Sequence, residues 1–349
     1  MNSVPSQLEN KDQLYRKNQI KSISFLVILG GLLLTAILLS LRAGSYDTPV
    51  AELIKGMFGM SADRKINLIV QKNRLPRIIT AILAGGGLGL AGCILQAVLR
   101  NPLASASTLG VSQGATFGAA FAIVVLGFTG TSGLGIPLCA FVGSIAVALV
   151  ILGLSKFRQV SPEGIVLAGV AISSMFTGAT TLIQYFANEV QLSTLVFWTF
   201  GDLGQTGLKD IGGMATVVIV LFVYCTIHRW DYNALLGGEE TAISLGINVK
   251  RLTLVNMVLC CLTSSVVVSQ VGLISFIGLV APHIVRMVVG NNHVYLIPGS
   301  VLGGATLLLL GDLFARTVIS PVILPIGAIT SFLGGPLFLY LLFKGGKKQ

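Results

Sequence analysis

Several long stretches of the 349-residue chain contain no Asp, Glu, Lys or Arg, and three of them lie between residues 78 and 188. They run from Ile78 to Leu99, from Asn101 to Ser155 and from Gly164 to Asn188, and each is long enough to cross a bilayer, which takes about 20 apolar residues. Of all residues, 54% are hydrophobic and 10% are charged, a balance too apolar and too poor in charge for a soluble domain. The sequence therefore predicts an all-α polytopic membrane protein.

Glycines, prolines and isolated charges divide the apolar sequence into about ten predicted transmembrane helices. The first is too long for the core of a signal peptide and is interpreted as a span, not as a cleaved leader. The eighth is short and contains Pro282, which predicts a half-span or a tilted helix. The predicted helices are 22–41, 78–99, 106–127, 136–155, 164–187, 210–227, 252–274, 276–290, 294–315 and 322–343.

The distribution of Lys and Arg sets the predicted topology, because cations beside short loops stay on the cytoplasmic side. The N-terminal segment 1–21 and the tail 344–349 are both basic and are predicted to be cytoplasmic. Between them lies one transmembrane domain, 22–343, whose even number of spans returns the chain to the same side. The same alternation places the loop 228–251 in the cytoplasm and the segment 41–76 outside.

The predicted outer segment is an exception to this charge rule, because it carries a cluster of cations that ends in Lys72, Arg74 and Arg77. One interpretation is a solvated, partly helical loop whose charges contact lipid phosphates. A second applies to the two arginines, since Pro76 marks the first turn of a helix. A helix N-terminus disfavours cations by roughly a few tenths of a kcal/mol, and a carboxylate from a partner would more than offset that penalty.

The chain lacks the groups that would drive transport on their own. Asp and Glu are absent from the middle of every predicted span, where ion-coupled carriers keep ionisable side chains, and Glu163 and Asp312 fall near predicted helix ends. The chain also has no G-x-x-x-x-G-K-[ST] phosphate loop, so it is not itself a P-loop ATPase. Energy is therefore predicted to come from a partner, or transport is passive. An ion-coupled secondary transporter is the alternative class.

Neither the histidines nor the cysteines predict an active site or a metal site. His228, His283 and His293 lie near predicted span ends without a repeated carboxylate partner. The five cysteines fall in apolar stretches without a CxxC pair and are interpreted as small core residues. The sequence thus predicts that the chain is not an enzyme and has no cofactor or metal of its own.

The largest predicted cytoplasmic loop, 228–251, has a helical pattern of its own. Leu236, Ala242 and Leu245 recur at helical spacing, and Gly237-Gly238 and Gly246 interrupt them. This pattern predicts two short helices joined by a glycine turn. Such a pair is either a segment on the membrane surface or a docking site for a soluble subunit.

Several short segments, in order from about residue 70 to the C-terminus, resemble the permease subunits of iron-siderophore, haem and cobalamin ABC importers. Any one of them alone is a weak signal, but the ordered set is highly specific. The segments are RLPR at 74–77, NPL at 101–103, LGVSQG at 109–114, LAGV at 167–170, ETAISLG at 240–246, FIGLVAPH at 276–283 followed by Arg286, and LPIG at 324–327.

This resemblance implies a multi-pass permease subunit of the bacterial plasma (inner) membrane that works by alternating access. Its implied protein partners are a second permease subunit, identical or a paralogue, two ATPase subunits that bind ATP and Mg²⁺, and an extracytoplasmic binding protein that delivers the cargo. Membrane lipid surrounds the chain, and no nucleic acid is involved. A ferric siderophore is the expected cargo, because that class is the broadest in the family, and haem or cobalamin is the alternative.

The resemblance also implies roles for three groups of residues. Acidic residues of the binding protein would dock on Arg74, Arg77 and Arg316. The ATPase would contact Leu235, Leu236, Gly238, Glu240, Ala242, Leu245 and Gly246. The cytoplasmic gate would lie near Asn101, Leu103, Pro162 and Glu163. The last two residues depart from the family pattern, which often has Ser or Thr there, and a surface contact between Glu163 and Arg158 is the favoured alternative.

Overall fold

A computed structural model describes residues 4–43, 49–128, 133–157, 161–319 and 321–345. These residues form helices joined by turns, with no β-strand among them. The helices are α1 (Val4–Arg42), α2 (Val50–Met57), α3 (Arg64–Ile69), α4 (Leu75–Val98), α5 (Val111–Ala120), α6 (Gly135–Phe157), α7 (Pro162–Tyr185), α8 (Glu189–Phe200), α9 (Leu208–Ile227), α10 (Arg229–Leu235), α11 (Glu239–Ser244), α12 (Val249–Val271), α13 (Ile277–Val289), α14 (His293–Thr317) and α15 (Ile326–Gly345). Two π-helical segments, Val70–Arg74 and Phe121–Val125, precede α4 and continue α5.

The predicted class, an all-helical protein with several membrane-spanning helices, is confirmed. Within the described ranges, six helices are long and apolar enough to cross a membrane, namely α1, α4, α6, α7, α12 and α14. The helices α9 and α10 form a pair bent by 61°, and three shorter apolar helices are α5 with its π-helical segment, α13 and α15. Each of these elements overlaps one of the predicted spans. The number of spans and the side of each terminus stay predictions.

The first helix is longer than its predicted span. α1 has 39 residues, so one continuous helix joins the apolar stretch to the polar N-terminal segment. Only a small part of its apolar window is buried, and it packs on α14 and α13. The remaining apolar surface of α1 needs lipid or another subunit against it.

At the centre of the bundle lies α4, which α14, α12, α13 and α9 enclose. A Cβ added at Gly85 would overlap the carbonyl oxygen of Gly304, and one at Gly89 would overlap that of Ser300. Within a membrane, small residues of this kind allow two helix backbones to approach closely. The helices α4 and α14 therefore form a tightly packed antiparallel pair.

The same kind of packing joins α5 to α6. A Cβ added at Gly118 would overlap the carbonyl oxygen of Cys139, and one at Gly143 would overlap that of Gly114. The helix α12 then packs against both α6 and α4. One side of α7 contacts α5 and α6, while the other side stays uncovered in the single chain.

The outer segment 41–76, for which a solvated, partly helical loop is one of the two interpretations, contains α2 and α3. The side chain of Asp63 caps α3 by accepting a hydrogen bond from the Lys65 N–H at 2.8 Å. The carboxylate of Glu52 accepts hydrogen bonds from Lys55 Nζ and from the Ser61 hydroxyl, both at 2.8 Å. The bond from Lys55, and after it the bond from Ser61, holds the pKa of Glu52 below its usual range.

Candidate functional site

The three predicted docking arginines lie together at one end of the bundle, called here the arginine end. Arg74 closes the π-helical segment, Arg77 lies in the first turn of α4, and Arg316 lies in the last turn of α14. The tight pairing of α4 with α14 brings these distant parts of the sequence into contact. The structure thus unites the three residues that the sequence singled out.

A carboxylate that the sequence analysis did not assign to this site, Asp312, joins two of the arginines. Its Oδ1 accepts hydrogen bonds from Arg77, with Nε and Nη2 both at 2.8 Å, and its Oδ2 accepts one from Arg316 Nε at 2.9 Å. The Asp312 side chain is 0% exposed, and those of Arg77 and Arg316 are 12% and 11% exposed. A carboxylate can be buried this completely because charge-assisted hydrogen bonds satisfy both oxygens.

The arginines also fasten the end of α1. Arg74 is buried, and its Nη1 donates to the carbonyl oxygen of Leu41. Arg316 donates from Nη1 to the carbonyl oxygen of Ala43 at 3.2 Å and from Nη2 to the Ser40 hydroxyl. The arginine end is therefore where α1, α4 and α14 meet.

A second carboxylate at this end is more accessible. Oδ1 of Asp202 lies 3.4 Å from Nη1 of Arg77 and also accepts a hydrogen bond from the Gly204 N–H at 2.8 Å. The Asp202 side chain is 40% exposed. Because three arginines face two carboxylates, the cluster keeps a net positive charge. Further exposed cations lie nearby on α3 and on the π-helical segment, namely Arg64, Lys65 and Lys72.

The loop 228–251 lies at the opposite end of the bundle, called here the loop end. It forms α10 and α11, which Gly237 and Gly238 separate, so the predicted pair of short helices with a glycine turn is confirmed. Gly238 has φ +100°, a conformation that residues with a side chain rarely adopt. The glycine is therefore required for the turn between the two helices.

The predicted ATPase-contacting residues divide into a buried and an exposed set. Leu235 and Ala242 are buried against the bundle. Leu236 and Leu245 are 54% and 66% exposed, and Ile243, which the sequence analysis did not select, is 57% exposed. Glu240, on α11, and Gly246 are exposed, and Gly238 is half-buried. Uncovered aliphatic side chains beside polar ones are typical of a surface that binds another protein.

Two of the four predicted gate residues lie in the connection between α4 and α5, and the other two lie in the first turn of α7. Oδ1 of Asn101 accepts a hydrogen bond from the Leu103 N–H at 2.9 Å, and Leu103 is 43% exposed. Pro162 opens α7, and Glu163 is exposed in the first turn of that helix. The alternative partner of Glu163, Arg158, lies outside the described residues. The gate role stays a prediction.

Polar contacts near the loop end also tie helices together. Nη2 of Arg286 donates to Oε1 of Gln96 at 2.9 Å, which links α13 to α4. Nothing in the sequence pattern indicates this pair, because its members are 190 positions apart.

Cys93, Cys225, Cys260 and Cys261 are buried free thiols, as their apolar context predicts. In the part of the chain that the structure describes, no three His, Cys, Asp or Glu side chains are grouped to hold a metal ion.

Comparison with known proteins identifies the class. A solved structure described as an inward-facing conformation of a metal-chelate type ABC transporter matches with a TM-score of 0.80 and 28% identity, covering 92% of this chain and 99% of that one. The fold is thus that of an ABC transporter permease, a multi-pass protein of the cell membrane. A sequence profile of the FecCD transport family matches residues 32–344. The chain belongs to the FecCD transport family.

Individual relatives agree with this assignment over nearly their whole length. A protein of Methanocaldococcus jannaschii described as an ABC transporter permease is 47% identical, covering 98% of this chain and 99% of the relative. The hemin transport system permease protein of Yersinia pestis is 34% identical over 91% of this chain and 96% of its own. The Fe(3+)-citrate import system permease protein of Bacillus subtilis is also 34% identical, covering 95% of this chain and 98% of the relative.

Proposed function

We propose that this chain is the permease subunit of an ATP-driven importer that carries a metal chelate. The main support is the loop end, where α10 and α11 present the uncovered side chains of Leu236, Ile243 and Leu245. The chain has no phosphate loop of its own. Its energy therefore arrives through this surface, from two separate ATPase subunits that bind ATP and Mg²⁺.

One face of α7 fits a pathway for the cargo. Ser174, Thr177, Gly178 and Thr181 are exposed, and their spacing puts them on one side of the helix. The three hydroxyl groups donate to carbonyl oxygens of the same helix, at 2.8 to 3.1 Å. Such a face is only weakly polar, which suits a path that has to release a bulky chelate. A second permease subunit, identical or a paralogue, would enclose the other side of this path.

The arginine end is the proposed docking site of an extracytoplasmic binding protein. Arg74, Arg77 and Arg316 already have partners within the chain, so an incoming carboxylate would share them with Asp312, with Asp202 and with backbone carbonyls. The net positive charge of the cluster favours acidic partners and would raise the rate of encounter.

The mechanism follows from the separation of these two surfaces. A loaded binding protein docks at the arginine end, and ATP binding closes the two ATPases beneath α10 and α11. The movement of these short helices opens the central path to one side of the membrane at a time, with the residues near Asn101 and Glu163 as the inner gate. No covalent chemistry takes place in this chain.

A ferric siderophore is the proposed cargo, and haem or cobalamin is the alternative. Two relatives are named for hemin and for Fe(3+)-citrate, both of which are iron chelates. The weakly polar face of α7 has no feature that selects one chelate over another. The assignment to a siderophore therefore rests on the breadth of that cargo class.

The test is uptake into proteoliposomes that hold this chain with its cognate ATPase. Radiolabelled ferric siderophore, haem and cobalamin are supplied outside on a binding protein, with or without ATP inside. The expected result is ATP-dependent uptake of one cargo. In protein that still shields its buried cysteines from maleimide, replacing Arg74 and Arg77 by Glu should abolish this uptake, because docked carboxylates would then meet like charges.

The control is Lys65→Glu, which reverses an exposed charge at the same end but outside the cluster and should leave most of the uptake. Flux without ATP, or no flux of any of the three cargoes, would refute the proposed class of transporter or its cargo. Normal uptake by the arginine variants would refute the docking role alone.

A further inference from the structure

Asn233, on α10, reaches across to the first residues of α14. Its Oδ1 accepts a hydrogen bond from the His293 backbone N–H at 2.8 Å and lies 3.1 Å from Nδ1 of the same histidine. Its Nδ2 donates to Oδ1 of Asn292 at 3.0 Å. One side chain of the loop end thus holds both the residue that caps α14 and the first residue of that helix.

These bonds complete the N-terminus of α14. The first backbone N–H groups of a helix have no partner within the helix and need one from elsewhere. Asn292 supplies a partner for Val294, accepting its N–H at 3.0 Å. Asn233 supplies one for His293 from a different helix, so the start of α14 is capped jointly by its own chain segment and by α10.

A second anchor prevents α10 from moving independently of the bundle. Tyr232 is 0% exposed, and its hydroxyl donates to Oδ1 of Asn256 on α12 at 2.8 Å. Its ring lies 5.5 Å from the ring of His293, centroid to centroid. A displacement of α10 is therefore passed to α14.

The helix α14 then reaches the other end of the bundle without interruption. It has 25 residues, which corresponds to about 37 Å along the axis. Pro298 lies in its second turn and does not end it. Its last turns carry Asp312 and Arg316, and its glycine-lined face packs on α4, which carries Arg77. The loop end and the arginine end are thus two ends of one closely packed pair of helices.

We propose that Asn233 is a positioning residue that couples the ATPase surface to the docking surface through the pair α4–α14. This inference rests on the proposed function and adds to it the route by which a docked binding protein affects ATP hydrolysis. Docking at Arg77 and Arg316 biases the position of α14, and Asn233 transfers that bias to α10 and α11. Two sites that favour the same arrangement of one element are coupled in this way.

The test compares Asn233→Leu with Asn233→Asp in the assembled transporter. Leucine has a similar size but no hydrogen-bonding group. Aspartate keeps an acceptor for the His293 N–H, and its charge suits a helix N-terminus. For Asn233→Leu, we expect the stimulation of ATP hydrolysis by the loaded binding protein to fall about fivefold or more. Hydrolysis without the binding protein should persist, and Asn233→Asp, which loses only the bond donated to Asn292, should keep more of its stimulation than Asn233→Leu. Thr226→Val is the matched control, since the Thr226 hydroxyl bonds to Phe222 within α9, outside the ATPase surface.

Full stimulation in Asn233→Leu, or equal losses in the Leu and Asp variants, would overturn the proposal. Absence of stimulation in the unmodified protein would instead refute the proposed function. A second measurement does not depend on the Asn233 variants folding. Spin labels at Ser244 and Val318 should keep a constant separation through the ATP cycle, while the separation between Ser244 and Leu182 changes. A variable distance from Ser244 to Val318 would also overturn the proposal.

Discussion

Replacing Asp312 by asparagine tests whether the arginine end is a buried charge network or a solvated surface. The asparagine has almost the same shape as the aspartate, so the substitution removes the charge and leaves the packing in place. Arg77 and Arg316 would then face an amide, whose NH₂ group cannot accept their hydrogen bonds. We expect the folded state to be strongly destabilised.

The magnitude follows from the contacts and the burial. Asp312 is 0% exposed and has three nitrogen–oxygen contacts of 2.8 to 2.9 Å to two guanidinium groups. Removing one partner of a buried ion pair costs about 3–5 kcal/mol. Since Arg77 and Arg316 are 12% and 11% exposed, water can partly compensate them. The expected loss in the free energy of unfolding is therefore near the lower value, about 3 kcal/mol.

The buried cysteines provide the assay. Cys93, Cys225, Cys260 and Cys261 are inaccessible in the folded protein and become reactive when it unfolds. A maleimide dye would report unfolding of the detergent-solubilised chain as the mole fraction of SDS rises. Asp202→Asn is the matched control, because that carboxylate is 40% exposed and lies 3.4 Å from Arg77. We expect the control to change the free energy by less than about 1 kcal/mol.

A double substitution separates loss of the ion pair from other effects. If Asp312 is the main ion-pair partner of Arg77, then Arg77→Gln should lower the free energy of unfolding much less in the Asp312→Asn variant than in the unmodified chain. Two results would refute the buried network. One is a loss of unfolding free energy in Asp312→Asn as small as that in Asp202→Asn, and the other is a double variant whose loss equals the sum of the losses in Asp312→Asn and Arg77→Gln.

Two further predictions concern packing and pH. Gly304→Ala should lower the free energy of unfolding by about 1–3 kcal/mol in the same assay, because its Cβ would overlap the carbonyl oxygen of Gly85. The control is Gly178→Ala, which should not lower the free energy of unfolding, because the space around Gly178 is open. The pKa of Glu52 is lower in the folded chain than in the unfolded chain. Its hydrogen bonds therefore stabilise α2 and α3 at any pH above the unfolded-state pKa of Glu52, and this stabilisation is lost as the pH falls through the folded-state pKa. Hydrogen exchange in residues 50–69 should therefore be slower in the unmodified chain than in Glu52→Gln at neutral pH, and the difference should shrink as the pH falls below about 4.3, the ordinary pKa of glutamate. A difference that persisted in acid would contradict the role of the carboxylate.

Most of the helices are readable in the sequence, and the exceptions have identifiable causes. Charge-free runs and glycine punctuation predicted the membrane helices, including the short α13 with Pro282 inside it, and the pair α10 and α11. The helix α8 was missed, although Asn188 and Gln191 form a capping box at its start. A helix of 12 residues is too short to cross a membrane, so its hydropathy does not distinguish it from a connecting segment.

The candidate site was less predictable, because pattern and spacing carry no information on distant pairs. The sequence placed Arg74 and Arg77 at a helix start, and the resemblance added Arg316. Asp312 was noted near a helix end, but its bond to Arg77 spans 235 positions. Asn233 likewise bonds to His293 at the start of α14, about 60 positions away in the sequence. Such contacts appear only once the helices have packed.

During synthesis, α4 enters the membrane long before its partner α14 exists. Roughly two hundred residues separate the two helices, which corresponds to about 10–40 s at the usual rate of translation. Throughout that interval the glycines of α4 that will contact α14 and α13 face lipid or an insertion factor. A glycine-lined helix surface gains little packing energy from either. The centre of this bundle is therefore completed late, by a helix that inserts near the end of translation, and a chain interrupted before α14 would lack the partner around which its earliest helices are arranged.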